Sequence, residues 1–319
     1  MFTIVPDQPG LGGDEAVRAA ATVRSPHHAG RGPRVRKDRS MGTKVDLMSL
    51  YWTTAGVFPG QGEISRFDFG DRVRAAADAG FTGIGLWHTD LEHILQFRTL
   101  KEMKRILDDN GMKHVELEFL TDWFLDGARK SESDSRRKRL LEASEALHAK
   151  HVKVGDFYNE TRPMPRMIEA FAALCGEAEN YGATIGFEVM GCAVINNVRD
   201  ALTMVRKAGV RNGGLIIDIY QAVNLQMTPE EIRGIPPEYL IGVELNDGTL
   251  PGSPGHDPSN RRFCGDGDYD IKGFIRLVRD AGYAGPWAVE VISEKLAALP
   301  LKEMSTRAFR TTMAQFTDG

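Results

Sequence analysis

The sequence predicts one closed (β/α)8 barrel, an α/β fold in which eight parallel strands are each followed by a helix. From Lys44 onward, short apolar runs alternate eight times with amphipathic stretches, which indicates a parallel sheet with helical crossovers. About 275 residues for eight such units suit a closed barrel. A doubly wound sheet is the weaker alternative, because no glycine-rich phosphate loop follows the first run, which reads Tyr51-Trp-Thr-Thr-Ala-Gly-Val-Phe-Pro59.

Each element is assigned from its own pattern. Strands are short runs of apolar and β-branched residues, and we predict them at 45–51, 83–87, 114–119, 151–154, 184–189, 214–218, 241–245 and 288–292. Helices are amphipathic stretches that often end before a glycine, as at Asp78-Ala-Gly80 and Tyr181-Gly182. We predict them at 66–79, 99–110, 131–149, 164–181, 197–208, 228–234, 271–281 and 300–315.

The first forty residues differ from the rest of the chain. Residues 1–40 are rich in Gly, Pro and Arg and lack apolar periodicity, so we predict a disordered extension followed by a barrel domain at 41–319. A basic targeting arm is the alternative interpretation. A signal peptide is not expected, because the extension has no hydrophobic stretch.

Composition limits the classes of function. The net charge of −4 gives no basic surface for nucleic acid or for an anionic membrane. The three cysteines form no CxxC pair, and their odd number argues against a disulfide framework. No run is long and apolar enough for a transmembrane helix. We therefore expect a cytoplasmic protein that binds neither nucleic acid nor a membrane, and leave open a homo-oligomer or a small partner subunit.

Four acidic residues each close an apolar stretch within one of the last four predicted strands: Glu188, Asp218, Glu244 and Glu290. In a (β/α)8 barrel the carboxyl ends of all strands meet at one mouth, where active sites lie. A buried carboxylate costs several kcal/mol unless a positive group neutralises it. Helix caps or arginines could neutralise such residues one by one, but four in succession favour a shared divalent cation.

These acids and two further motifs carry a resemblance to a known family. After strand seven the chain reads Arg262-Phe-Cys-Gly-Asp-Gly-Asp-Tyr-Asp270, and the last strand reads Gly282-Tyr-Ala-Gly-Pro-Trp-Ala-Val-Glu290. Together with the acids of strands five to seven, they resemble the xylose-isomerase-like TIM barrels, a broad group of sugar phosphate isomerases and epimerases. The resemblance extends from about Met41 to Gln315.

The resemblance implies one divalent metal ion bound through Glu188, Asp218, Glu244 and Glu290. It also implies that Glu188 and Glu290 form the catalytic acid/base pair. The expected activity is isomerisation or epimerisation of a small keto-sugar, polyol or hydroxy-ketone through an enediolate. The alternatives are a lyase of the same family (an inosose or keto-sugar dehydratase, or a C-glycoside-cleaving subunit) and a catalytically silent sugar-binding or partner subunit. A nuclease is disfavoured, because nuclease relatives use many histidines.

Two positions depart from the family pattern. Glu244 stands where the family usually has His, and an all-carboxylate site favours Mn²⁺ or Mg²⁺ over Co²⁺ or Zn²⁺. Gln221 stands where several dehydratases have a His base, and an amide cannot accept a proton near neutral pH. The second departure counts against a dehydratase that needs this base.

Further residues are expected to bind substrate: Trp52, His88, Glu118, Trp123, Lys153, Gln221, Asp247 and Arg262. Glu118 shares one face of its strand with Glu116, so one or both reach the pocket if that face points inward. Trp123 could instead be a core aromatic, and His88 a structural or surface group. Arg261, beside Arg262, is expected to be solvated.

Overall fold

The computed structural model describes residues 45–158 and 161–317. The strands are β1 Leu47–Ser49, β2 Gly83–Trp87, β3 His114–Leu120, β4 His151–Val154, β5 Ile185–Glu188, β6 Gly213–Asp218, β7 Leu240–Leu245 and β8 Trp287–Val289. Each pairs in parallel with the next, and β8 pairs with β1. The predicted closed (β/α)8 barrel is confirmed, whereas the predicted extension at 1–40 lies outside the described residues.

The eight predicted helices are all present. They are α2 Phe69–Ala79, α4 Leu100–Asp109, α5 Gly127–Leu147, α6 Met164–Glu179, α7 Val198–Ala208, α9 Pro229–Arg233, α10 Ile271–Asp280 and α12 Leu301–Met313. Local signals set their ends: Thr99 and Thr228 each begin a helix with a capping box, and Gly80 ends α2 with a φ of 112°. Among the described residues, no helix combines the length and the apolar character that crossing a membrane requires.

Four short helices were not predicted, and they lie after strands at the carboxyl end of the barrel: α1 Tyr51–Thr54, α3 His88–Ile94, α8 Ile219–Asn224 and α11 Glu294–Ala297. A 3-10 turn, Pro237–Tyr239, precedes β7. Two segments differ from the assignments as a result: Tyr51 begins α1 rather than ending β1, and His88, which lies outside the predicted elements, begins α3. Helices of one or two turns are too short to show a helical period.

The main hydrophobic core lies between the strands and the outer helices. The barrel interior is narrow by comparison. An added Cβ at Gly186 would lie 2.6 Å from Cδ1 of Ile216, and one at Gly242 would lie 3.4 Å from Cε1 of His151. These glycines make room for larger side chains from neighbouring strands. The interior is therefore filled by a few long side chains, several of them charged, and these form the site.

Candidate active site

The four strand-end acids lie at one mouth of the barrel. Glu188 and Asp218 are the last residues of β5 and β6, Glu244 is next to last in β7, and Glu290 directly follows β8. All four are buried. One oxygen from each of Glu188, Asp218 and Glu244 lies within 4.8 Å of the other two. The fold thus brings three of the predicted metal ligands to one point.

Glu290, the fourth acid, is held by two cations. Its Oε1 atom lies 3.1 Å from Nζ of Lys153 and its Oε2 atom lies 2.7 Å from Nη1 of Arg261. Burial opposes the ionisation of Glu290, but the charges of Lys153 and Arg261 outweigh it and hold the pKa of Glu290 below its usual value. Glu290 is therefore ionised near neutral pH.

Lys153 is a buried cation among carboxylates. It lies in β4, and its Nζ atom is 2.8 Å from Oε1 of Glu244, on the far side of the barrel. It is also 3.2 Å from Glu118, 3.5 Å from Glu116 and 3.9 Å from Glu188. Burial alone would lower the pKa of Lys153, but the surrounding carboxylates raise it well above its usual value. The ammonium therefore stays charged.

Arg261 is the residue of this site that sequence reasoning missed. It is 8% exposed, and its Nη1 atom lies 2.9 Å from Oδ2 of Asp218 and 2.7 Å from Oε2 of Glu290. Its guanidinium stacks 4.4 Å from the ring centre of Tyr220. The expectation that Arg261 is solvated is wrong. Arg262, predicted to bind substrate, is exposed instead and donates to the carbonyl oxygen of Asp266.

The alternation in this segment could have identified Arg261. Arg262 exchanges two main-chain hydrogen bonds with Asp247, as in an antiparallel strand pair. Side chains alternate along such a segment, so Arg261 and Phe263 are buried while Arg262 faces solvent. The buried Phe263 was the available signal, because its apolar ring identifies the inward-facing positions.

Asp247, predicted to bind substrate, organises the loop that carries these residues. Its Oδ1 atom accepts hydrogen bonds from the main-chain amides of Gly248 and Tyr269, at 2.8 and 3.1 Å. Its Oδ2 atom accepts from the amides of Gly265 and Gly267, at 2.8 and 2.9 Å. A carboxylate with four amide donors is a strong anchor. Asp247 therefore fixes the segment that follows Arg261.

The inward face of β3 lies beneath the strand-end acids. Glu116 and Glu118 share a face, as predicted, and that face points into the barrel. Oε2 of Glu116 lies 2.9 Å from Nε2 of the buried His151. Burial raises the pKa of Glu118 to about 8. Burial also opposes the ionisation of Glu116, but His151 and Lys153 lower its pKa to about 2. Oε1 of Glu118 accepts the main-chain hydrogen bond of Tyr51 at 3.2 Å.

An aromatic cluster covers the side of the mouth formed by the first strands. Trp52, in α1, makes an edge contact with Trp87, whose ring is stacked 6.0 Å from that of Phe119. His88 is next to this cluster, with its ring 5.2 Å from Trp87, and burial lowers its pKa to about 3. Trp52 and His88 are thus near the mouth, His88 as a neutral ring, and their binding roles stay predictions.

Trp123 lies in the layer outside the barrel, and Gln221 lies in the helix that follows β6. Trp123 makes edge contacts with Phe171 of α6 and Phe187 of β5, in the layer between the barrel and the helices. The structure does not bring it to the acids, in agreement with the core alternative. Gln221, in α8, accepts a hydrogen bond from the amide of Gly191 at 3.2 Å and so links the segments that follow β5 and β6.

The acid cluster fits a divalent cation. All its donors are carboxylate oxygens, the ligands that hard ions prefer. Burial raises the pKa of Glu188 to about 8 and also raises those of Asp218 and Glu244, so Lys153 and Arg261 alone do not keep these groups fully ionised. Oε2 of Glu244 has no hydrogen-bond partner within the described part of the chain. A further cation would allow the cluster to ionise.

Comparison with known proteins identifies the family. A family model described as a xylose isomerase-like TIM barrel matches residues 73–312. The chain belongs to this family. The resemblance inferred from the strand-end acids is thereby confirmed.

Two curated relatives are named 3-dehydroshikimate dehydratase. The protein from Pseudomonas aeruginosa is 25% identical over 251 residues, which are 76% of this chain and 39% of the relative. The protein from Pseudomonas putida is 23% identical, with the same coverage. The chain therefore spans about two fifths of the length of the curated relatives that it matches.

Solved structures share the fold. The IOLI protein with a bound zinc atom has a TM-score of 0.76 and 17% identity, and the match covers 85% of this chain and 98% of that one. D-psicose 3-epimerase from Clostridium cellulolyticum H10, solved with D-tagatose, has a TM-score of 0.65 and 14% identity, with coverages of 85% and 99%. At these identities the likeness shows the fold alone.

Proposed function

We propose that the protein is a divalent-metal-dependent isomerase or epimerase of a small keto-sugar, polyol or hydroxy-ketone. One observation carries the proposal. Glu188, Asp218 and Glu244 converge within 4.8 Å, beside a Glu290 that two cations keep ionised. This combination supplies a metal site and a base in one buried mouth, which is what proton removal next to a carbonyl requires.

Glu188, Asp218 and Glu244 would hold the metal, which when bound polarises the substrate carbonyl and stabilises an enediolate. Glu290, whose pKa is lowered, removes the proton from the carbon next to the carbonyl. Glu188 would return a proton to the substrate, so that the two carboxyl groups act as an acid/base pair.

Arg261 would orient the substrate. It is charged, buried and directed at the acids. Its N–H groups would donate to substrate oxygens, which gain negative charge as the proton leaves. The aromatic cluster around Trp52 and Trp87 would cover the carbon face of the substrate and exclude water.

A lyase is the second candidate. The relatives named 3-dehydroshikimate dehydratase support it. Gln221 counts against it, since the amide cannot act as the base that some dehydratases use at this position. Both candidates begin with the same proton removal. An isomerase or epimerase then reprotonates the enediolate, whereas a dehydratase expels a hydroxyl group from it as water.

The test is turnover of a panel of keto-sugars, inososes and 3-dehydroshikimate in deuterated water with Mn²⁺. An isomerase or epimerase gives a product of the same composition with deuterium next to the carbonyl, whereas a lyase gives a product that lacks one water. Glu290→Gln and Glu188→Gln should each slow turnover by roughly 10²–10⁴-fold. Glu179→Gln, the same change at an exposed helix position, is the matched control.

Two results would contradict the proposal. Product without solvent deuterium would indicate hydride transfer, or transfer of a retained proton, in place of exchange through an enediolate. Purified protein that neither retains nor binds a divalent ion, and turns over no member of the panel, would favour the silent sugar-binding or partner subunit.

A further inference from the structure

Lys153 contacts two separate sets of carboxylates. The first set belongs to the mouth: Glu244 at 2.8 Å, Glu290 at 3.1 Å and Glu188 at 3.9 Å from Nζ. The second set lies deeper, on the neighbouring strand β3: Glu118 at 3.2 Å and Glu116 at 3.5 Å. One ammonium has three N–H groups, so it cannot satisfy five carboxylates at once.

The ammonium lies where it obstructs a metal ion. Glu244 and Glu188 are two of the three acids that converge, and both are within 4 Å of Nζ. Like charges at such distances in a buried site repel strongly. A divalent ion that binds Glu188 and Glu244 must therefore move the Lys153 ammonium away from them.

The deeper carboxylates, Glu116 and Glu118, form a second possible binding position for the Lys153 ammonium. Oε2 of Glu118 and Oε1 of Glu116 are the oxygens nearest to Nζ on β3, and neither has a hydrogen-bond partner within the described ranges. Their strand pairs directly with β4, which carries Lys153. A side-chain rotation toward β3 would therefore exchange contacts with the mouth for hydrogen bonds to two unpartnered buried oxygens, and the main chain would not need to move.

We propose that Lys153 is an internal cation that competes with the divalent metal. Without the metal its ammonium bridges Glu244 and Glu290 and holds the acids together. When the metal binds, the ammonium moves onto Glu116 and Glu118. Two consequences follow. The metal-free barrel is stable despite its many buried carboxylates, and the metal binds reversibly because its binding includes the free energy of moving Lys153. The inference rests on the proposed metal site.

The experiment is calorimetric titration of Mn²⁺ into metal-free protein. Lys153→Met removes the competing charge, so Mn²⁺ should bind at least about ten-fold more tightly than to the wild type. The melting temperature of metal-free Lys153→Met should fall and should recover when Mn²⁺ is added. Lys150→Met is the matched control, since it removes the same charge from the residue before β4, where Nζ of Lys150 hydrogen-bonds to the carbonyl oxygen of Ile241. Its Mn²⁺ affinity should stay close to that of the wild type.

A second variant keeps the test decisive if Lys153→Met does not fold. Glu118→Gln leaves Lys153 in place and removes a carboxyl acceptor from its second position, so Mn²⁺ should bind more weakly although Glu118 is outside the converging triad. Where both variants fold, the double variant completes a cycle. The effect of Glu118→Gln on Mn²⁺ affinity should then be smaller in the Lys153→Met background, because no ammonium remains to be moved.

The outcomes separate this inference from the proposed function. Wild type that binds Mn²⁺, with Lys153→Met binding it equally or more weakly, overturns the inference and leaves the metal site intact. If Mn²⁺ binds only to Lys153→Met, competition is supported and the metal-dependent function is contradicted. Failure of both proteins to bind any divalent ion overturns both. If Lys153→Met does not fold, unchanged Mn²⁺ affinity in Glu118→Gln also overturns the inference.

Discussion

Nη1 of Arg261 lies 2.9 Å from Oδ2 of Asp218, so the loop after β7 supplies a guanidinium to an acid at the end of β6. The same nitrogen lies 2.7 Å from Glu290, after β8. One cation therefore connects the carboxyl ends of β6 and β8 across the intervening strand. Because the anchor Asp247 fixes this loop through four amides, the position of Arg261 depends on the loop as a whole.

Arg261 and Arg262 make a pair for mutagenesis. Arg261→Met should lower turnover by roughly 10²–10³-fold, the usual effect of removing a donor aimed at developing negative charge. Arg262→Met should have a much smaller effect, since Arg262 is exposed. Arg261→Lys keeps the charge but loses the planar fork, so it should recover only part of the rate. Steady-state kinetics at saturating Mn²⁺ would measure all three, and equal losses in both Met variants would contradict the assignment of Arg261.

The sequence predicted the barrel and its acids because both are local patterns. Each strand is a short apolar run, and an acid that closes such a run must lie at the mouth once the barrel closes. This reasoning located Glu188, Asp218, Glu244 and Glu290 without knowledge of their side-chain contacts. It also predicted that Glu116 and Glu118 share one face of their strand, from the alternation along it, but it left open whether that face points inward.

The rest of the site depends on contacts between distant segments. Lys153 reaches Glu244 across the barrel, 91 positions away in sequence, and nothing local to β4 specifies that partner. The choice between Arg261 and Arg262 depends on pairing with Asp247. Trp123 follows the end of β3, where the alternation of the strand no longer determines direction, and it packs in the outer layer.

Glu244 is expected to determine which ions the proposed metal site prefers. Glu244→His should restore the ligand that the family usually has, so Mn²⁺ should still bind while preference shifts toward Zn²⁺ or Co²⁺. Glu244→Ala should weaken the binding of every divalent ion. Calorimetric titration of each ion into the metal-free wild type and the two variants would measure this. Unchanged Mn²⁺ affinity in Glu244→Ala would mean that Glu244 does not contact the ion.

The metal-free protein should become less stable as the pH rises from about 6.5 to about 8. Burial raises the pKa of Glu118 and Glu188 from 4.5 to about 8. Between these two pH values the folded protein holds protons that the unfolded chain has released. The stability that these two groups contribute is fully present below pH 4.5 and is lost as the pH rises through 8. The pKa values of His88 and His151 are lowered, so these two groups change the stability only below their usual pKa of 6.5. They do not oppose the trend in this window.

Melting temperatures of chelator-treated protein across this pH window would test the trend. Glu188→Gln is neutral at every pH, so its melting temperature should fall less steeply than that of the wild type. Saturating Mn²⁺ should also reduce the slope, because the ion would replace the protons. A wild-type melting temperature that rises from pH 6.5 to 8 would show that these carboxyl groups are already ionised in the folded state.

Gly85 is expected to be essential for packing beneath the site. An added Cβ would collide with Oε1 of Glu118 and would lie 2.9 Å from Cα of Leu50, which is main chain and cannot yield easily. Gly85→Ala should therefore destabilise the protein by about 1–3 kcal/mol. Gly176→Ala is the control, because Gly176 is exposed within α6 and its Cβ would meet nothing within 4 Å. It should stabilise the helix by roughly 0.5–1 kcal/mol. Urea unfolding of both variants measures the difference, and Gly85→Ala with wild-type stability would mean that Glu118 and β1 can shift to accept the methyl group.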